Sequence, residues 1–308
     1  MTGYPQAHIT AGDLSPVTFR QETDYATPTG DPAYYADIAE GGKFTMQDSN
    51  NPYVAYRYGN RSFDPDDYVT RQMDAAFSAT LEVRDALGWQ RIIEYATGMG
   101  GTAPYGSLPS REEAIYVRTG ASEWQGRVYT GCKTDSLTIS ADAPGGIVKF
   151  EENVLASEGN DDDLMTAISA WVSSVPAVQW LSGMEVGGVP VYPQSFSITI
   201  NNALARSYKP KEGGAVTGAL QEGRREIAFE CECWMEDLAY IRSSMANGDP
   251  GSIMLTLGIS APVRILLTGV RWMADGTYPD LVQDKQRDKL RFRATGITLT
   301  PISVTPPE

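Results

Sequence analysis

The chain carries an internal repeat, which restricts it to architectures in which one unit is built twice. The segments Lys43-Phe44-Thr45-Met46-Gln47-Asp48-Ser49-Asn50-Asn51 and Ser195-Phe196-Ser197-Ile198-Thr199-Ile200-Asn201-Asn202 both alternate in polarity and both run into an Asn-Asn pair. Phe77-Ser78-Ala79-Thr80-Leu81-Glu82-Val83 and Phe229-Glu230-Cys231-Glu232-Cys233-Trp234 form a second matched pair. Phe44 to Phe196 and Phe77 to Phe229 are both separated by 152 positions. Period-two alternation predicts strands with one buried face. Each second strand leads into an amphipathic stretch, Arg84 to Thr97 with Leu87, Ile92, Ile93 and Tyr95, and Met235 to Ala246 with Leu238, Ile241 and Met245. Gly98 and Gly248 follow them, as left-handed helix caps prefer. Tyr129-Thr130-Gly131-Cys132-Lys133 resembles Leu267-Thr268-Gly269-Val270-Arg271 at an offset of 138, which places a longer loop in the first copy, between Met99 and Gly126. Each copy closes with a strand pair, near Ile147–Leu155 and Leu290–Leu299.

The expected fold is therefore mainly β, a tandem duplication of β-sandwich or barrel-like domains, each with one short flanking helix. The 30 Gly and 19 Pro agree with many turns and little long helix. The expected division is an N-terminal arm over 1–40, a first domain over 41–160 and a second over 161–308. The acidic stretch Ser157 to Asp163 reads as a solvated linker between them. Two segments rich in Gly, Pro and charge, Tyr58 to Arg71 and Lys209 to Arg224, read as long loops that serve as interaction arms. Tyr58, Arg61, Asp64, Asp67, Lys209, Lys211 and Arg224 are the residues expected to meet neighbouring subunits. Ser78, Thr80 and Glu82 on one long strand, and Glu230 and Glu232 on the other, face away from the core; they form a solvent face or a polar, acidic channel wall.

Several function classes are disfavoured. A net charge of −14 argues against tight binding to a nucleic-acid backbone. The acid is concentrated in residues 1–165, with 25 Asp/Glu against 12 Lys/Arg, whereas residues 166–308 hold 14 against 13. With no apolar run of about 18 residues and no signal-peptide pattern, membrane insertion is not expected and assembly in the cytoplasm is. Cys132, Cys231 and Cys233 read as reduced, buried thiols. His8, the one histidine, lies in the expected arm and is no catalytic candidate. The adjacent carboxylates Glu112-Glu113, Glu151-Glu152 and Asp66-Asp67 point to opposite faces of a strand and read as surface charge. Asp64-Pro65-Asp66-Asp67 and Asp161-Asp162-Asp163 lack the spacing of a calcium loop. Gly98-Met99-Gly100-Gly101-Thr102-Ala103 follows a helix, the wrong context for a dinucleotide. No catalytic residue, cofactor or metal is expected.

Phe19-Arg20-Gln21-Glu22-Thr23-Asp24-Tyr25-Ala26-Thr27-Pro28 resembles the N-terminal pattern of the tail tube (major tail) proteins of long-tailed bacterial and archaeal viruses, an E-x-x-Y-G-T segment after the first strand, with Ala26 where glycine is usual. Ser195 to Asn202, followed by Lys209-Pro210 to Gly218, resembles that family's strand and following arm. The resemblance implies a structural virion protein whose subunits form rings, with inner-sheet strands joining neighbours into one barrel. The rings stack into a tube through which DNA passes during ejection, its lumen often acidic. The implied partners are further copies of the chain, tape measure and terminator proteins, and DNA in transit. Six domain positions per ring imply three two-domain chains, the alternative being a hexamer in which one half lines the channel and the other decorates the outside. Other readings are a distal tail or baseplate ring, a DNA-encircling clamp, which needs a basic lumen, and a β-sandwich enzyme, which needs two carboxylates converging in a groove.

Overall fold

A computed structural model describes residues 16–28, 34–38, 43–54, 68–83, 86–98, 108–118, 124–142, 146–162, 183–211, 214–234, 249–257, 263–273 and 287–301. The first half holds β1 (Pro16–Asp24), β2 (Thr27–Pro28), β3 (Tyr34–Ile38), β4 (Phe44–Met46), β5 (Ser49–Val54), β6 (Tyr68–Glu82), helix α1 (Ala86–Thr97), β7 (Arg111–Arg118), β8 (Trp124–Ala141), β9 (Lys149–Ala156) and β10 (Glu158–Asp162). The second holds β11 (Met184–Val186), β12 (Val189–Val191), β13 (Ser195–Asn201), β14 (Ala205–Lys211), β15 (Gly214–Gln221), β16 (Glu226–Trp234), β17 (Gly251–Leu257), β18 (Val263–Trp272), β19 (Arg287–Ala294) and β20 (Gly296–Pro301). The fold is mainly β.

Eight strands form an antiparallel inner sheet in the order β4–β6–β9–β8–β13–β16–β19–β18. Its second four strands repeat the pairing of its first four. Phe44 pairs with Ala79 as Phe196 does with Cys231, both 152 positions on. Phe77 pairs with Val154 as Phe229 does with Phe292, and Thr134 with Val154 as Trp272 does with Phe292. The outer strands follow suit. The first part of β8 lies between β7 and β10, and the first part of β18 between β17 and β20. Both long strands pass from outer to inner sheet at a glycine of positive φ, Gly131 (65°) and Gly269 (60°). Only glycine adopts this turn without strain, so the T-G step marks the same bend twice.

Inward positions of the alternating strands fill one continuous core that runs through both halves. Phe77 of β6 packs on Tyr129 of β8 with ring centroids 4.7 Å apart, joining inner and outer sheets. Helix α1 closes the first half. Trp89 stacks edge-on against Phe150 at 4.6 Å and donates its indole N–H to the Val83 carbonyl at 2.6 Å. Gly98 takes φ 85° after its N–H closes the last turn on Glu94, as the cap pattern requires. The second expected helix, Met235 to Ala246, and its cap Gly248 lie outside the described residues.

Three expectations are corrected. Ser157 to Asp163 is not a solvated linker: Ser157 is buried, and Glu158–Asp162 is β10, paired along β8. Backbone pairing to β8 and the ion pair of Asp161 with Arg127 outweigh the cost of placing acids in a strand. Within the segment expected as an arm, β1 to β3 are strands of the sheet, because Val17 and Phe19 alternate into the core. Lys209 to Arg224 is not a loop but most of a hairpin, β14–β15.

Candidate functional site: the polar face and the arm sheet

Alternation along the inner sheet sends its polar residues to one face. Ser78 and Thr80 from β6, Glu151 and Asn153 from β9, Ser136, Thr138 and Ser140 from β8, Ser197 and Thr199 from β13, and Glu230 and Glu232 from β16 stand in register across this face. Its middle is rich in hydroxyls, with Thr138 and Thr199 Oγ1 atoms 3.4 Å apart and Asn153 donating to Ser136 at 2.8 Å. Ser78, Thr80, Glu230 and Glu232 are half-buried on that face. Glu82 is not exposed there: it is buried, because β3 pairs beside it at Asp37.

The acidic-wall expectation is also corrected. β19 sets Lys289 opposite Glu232 and Arg291 opposite Glu230. Arg291 Nε lies 3.0 Å from Glu230, and Arg293 lies 2.8 Å from Glu226. The β16 glutamates are therefore matched by a column of cations. That column was legible in the alternation Lys289-x-Arg291-x-Arg293, but only the cross-strand register shows which acids it meets.

Beside the inner sheet is a small arm sheet. β5 pairs antiparallel with the start of β6, β15 pairs parallel with it at Gln72 and Met73, and β14 completes the order β5–β6–β15–β14. The segment expected as the second arm thus pairs, within one chain, with the strand that follows the first expected arm, at Gln72 and Met73. Arg206 fixes the hairpin to the first half, donating to the Ala75 carbonyl at 2.8 Å, the Ala156 carbonyl at 3.1 Å and Thr217 Oγ1 at 3.0 Å. Tyr208 donates to Asp74 at 2.9 Å, and Ser157 to the Thr217 carbonyl at 2.7 Å. Arg206 and Tyr208 were not among the sequence candidates, since their partners lie far off in the chain. Lys209 and Arg224 are exposed, and Lys211 ends β14. Tyr58, Arg61, Asp64 and Asp67 lie outside the described residues, as do His8 and the Asp64-Pro65-Asp66-Asp67 run.

Asn202, from the second Asn-Asn pair, is buried between the halves. It donates to the Ala96 and Thr134 carbonyls at 2.9 Å each and accepts from Arg225 at 3.1 Å. One side chain thereby caps α1 and holds the β8–β13 junction.

The expectation that the paired carboxylates are surface charge fails for Glu112, Glu113 and Glu152. Glu112 is buried and paired with Arg20. Glu113 and Glu152, one from each adjacent pair, converge on the fully buried Arg111 at 2.8 and 2.7 Å. Burial, then repulsion from Glu152, holds the Glu113 carboxyl well above its ordinary range in spite of Arg111. The signal was present, because Glu152 occupies the inward phase of Phe150-x-Glu152-x-Val154. The three cysteines are buried and reduced, with the Cys231 and Cys233 sulfurs 3.8 Å apart, and burial raises the Cys132 thiol.

No curated protein matches the chain. A family model described as "Phage tail tube protein" matches residues 12–295, spanning both halves. The chain belongs to the phage tail tube protein family, whose members are structural proteins of the virion tail.

Proposed function

We propose that the chain is a tandem duplication of a tube domain, and that three copies close a ring whose inner sheets form one barrel around a DNA channel. The carrying observation is the β8–β13 junction. β13 of the second half adds to the inner-sheet edge of the first half, pairing with β8 from Phe196↔Ala141 to Asn201↔Ser136. β4 is the counterpart of β13 by its register with β6, and among the described residues its only strand partner is β6. An open edge invites a further strand. A neighbouring chain that supplies its second half to β4 repeats the internal junction, and the repetition closes as a cyclic assembly. Six such positions require three chains, with contacts alternating within and between them.

The exposed Met46 fits this role. Lys43 and Gln47 bond to Thr80 and Ala76 of β6, so the intervening even positions turn their N–H groups to the open edge. Met46→Pro removes one of those donors without touching the β6 ladder. The expected result is a folded chain that forms no rings in negative-stain images; normal rings would refute the edge assignment. The mass of an isolated ring decides the count: three chains of 33.5 kDa total about 100 kDa, and six chains per ring overturn the trimer.

Rings stack through the arm sheet in this reading. Its β6 and β15 edges are used up inside the chain, so β5 and β14 are the strands that reach the next ring. Tape measure and terminator proteins are the further partners, and assembly takes place in the host cytoplasm. A distal tail or baseplate ring would share the closure but not the stacking, so long hollow rods formed by the pure chain favour the tube.

A further inference from the structure

The column Lys289, Arg291 and Arg293 has no counterpart in the first half. At the register positions 138 earlier stand Glu151, Asn153 and Leu155, and the strand beside them offers Ser78 and Thr80 where β16 offers Glu230 and Glu232. Of the three glutamates only Glu226 has an acidic counterpart, Asp74; the basic column and its partners Glu230 and Glu232 are specific to the second half. Lys289, Arg291 and Arg293 are exposed, and successive members are about 7 Å apart along the strand. Arg271, on the other side of Arg293, extends the basic surface and is 80% exposed. The ion pairs of Arg291 and Arg293 are themselves about half exposed. Exposed pairs of this kind are weak, and a phosphate oxygen is at least as good a partner for guanidinium as a carboxylate.

We propose that this face is a charge-exchange track for double-helical DNA, a proposal that rests on the channel reading above. The phosphate backbone displaces Glu226, Glu230 and Glu232 one pair at a time from Arg293, Arg291 and Lys289, and the glutamates re-form their pairs once the phosphate has moved on. A purely basic column would hold the duplex through release of its counterions. A purely acidic one would repel it along the whole tube. With each cation carrying its own replaceable anion, the duplex meets local guides without net retention.

The test uses the full chain, because this face is open in a single subunit and the measurement needs no ring. Binding of a fluorescent DNA duplex is followed by anisotropy at low salt. The E226Q/E230Q/E232Q variant is expected to bind at least about tenfold more tightly than the parent, with a log–log salt slope near −2.7 for three phosphates. Adding K289Q/R291Q/R293Q to it removes the gain. Should the triple variant fail to fold, Glu230→Gln alone carries the same expectation at about threefold. A glutamine variant that binds no better than the parent overturns the proposal, as does a gain that survives loss of the three cations. Absence of rings in images of the parent chain would refute the tube reading instead, and the binding result separates the two.

Discussion

The two halves share strand order and register but differ in what fills the core at equivalent places. In the first half Arg111, Glu113, Thr134 and Glu152 form a buried polar cluster, with Arg111 also donating to Thr134 at 2.9 Å and lying over the Tyr95 ring at 4.8 Å. In the second half the register puts Gly251, Ile253, Trp272 and Leu290 at those positions. There Trp272 packs edge-on against Phe292 at 5.1 Å. One sheet frame thus accepts either an ion cluster or an apolar core. A buried pair stabilises little relative to apolar filling, but it is costly to break.

Breaking the cluster is the largest expected effect. Arg111→Leu leaves two buried carboxylates without their cation and is expected to cost about 3–5 kcal/mol in urea unfolding. Replacing the three charged members together, with Glu113→Ile and Glu152→Leu after the second half and Arg111→Leu where the second half has glycine, is expected to be neutral or stabilising by about 1–4 kcal/mol. A triple variant as unstable as the single one would show that the halves are not interchangeable in this respect.

The same cluster makes stability depend on pH, whereas the matching positions of the second half, Ile253 and Leu290, carry no titratable group. Facing Glu113 are Arg111, Glu152 and the Cys132 thiol. Its carboxyl is raised well above 4.5 in the folded chain. The folded chain therefore keeps a proton that the unfolded chain has already released. The stabilisation is complete below the unfolded value and is lost as pH rises through the folded one, by up to about 1.4 kcal/mol per pH unit. Glu113→Gln is expected to flatten the decline of the urea midpoint above pH 5. If the variant keeps the parent's slope, the retained proton resides elsewhere.

Much of this organisation was legible in the residues. Period-two alternation located the long strands, Gly98 marked the helix end, and the equal spacing of Phe44/Phe196 and Phe77/Phe229 anticipated the register that recurs in the sheet. What escaped was long-range. Glu113 and Glu152 are 39 positions apart, and only the β7–β8–β9 pairing brings them to one guanidinium. The hairpin reads as a loop in the sequence because Gly, Pro and charge signal turns locally, whereas its anchors Ala75, Asp74 and Ala156 belong to the other half. The acids of Glu158–Asp162 spoke for solvent, and pairing to β8 made them a strand.

The paired bends permit a finer comparison. A Cβ at Gly131 would sit 2.8 Å from Ser157 Cβ and 3.0 Å from the Tyr25 ring, in a place where Ser157 is buried. At Gly269 it would meet Thr295 Oγ1 and lie 3.1 Å from Thr295 Cβ, on an exposed residue whose rotation gives up only its 3.2 Å bond to the Thr268 carbonyl. Both substitutions carry the left-handed penalty of about 1–2 kcal/mol. Gly131→Ala is expected to exceed Gly269→Ala by about 1 kcal/mol, since the first must displace the buried Ser157 and the second an exposed threonine. Equal losses in paired denaturation curves would mean that the backbone term alone governs the bend.

The smallest effect is expected on the polar face, where the halves differ in charge rather than in packing. Glu230 and Ser78 occupy equivalent positions, 152 apart, with Asn153 opposite Ser78 where Arg291 is opposite Glu230. Glu230→Ser therefore gives the second half the chemistry of the first. Because the Arg291 and Glu230 side chains are 44% and 46% exposed, solvent already screens their attraction, and the loss is expected to stay below about 1 kcal/mol. What remains of it should fade between about 0.05 and 1 M salt, as the screening length falls to about 3 Å. A salt-independent loss of about 2 kcal/mol or more would mean that the pair holds the β16–β19 ladder together. A phosphate could then not displace the glutamate without loosening the sheet, so this stability measurement bears directly on whether the face can exchange its anions.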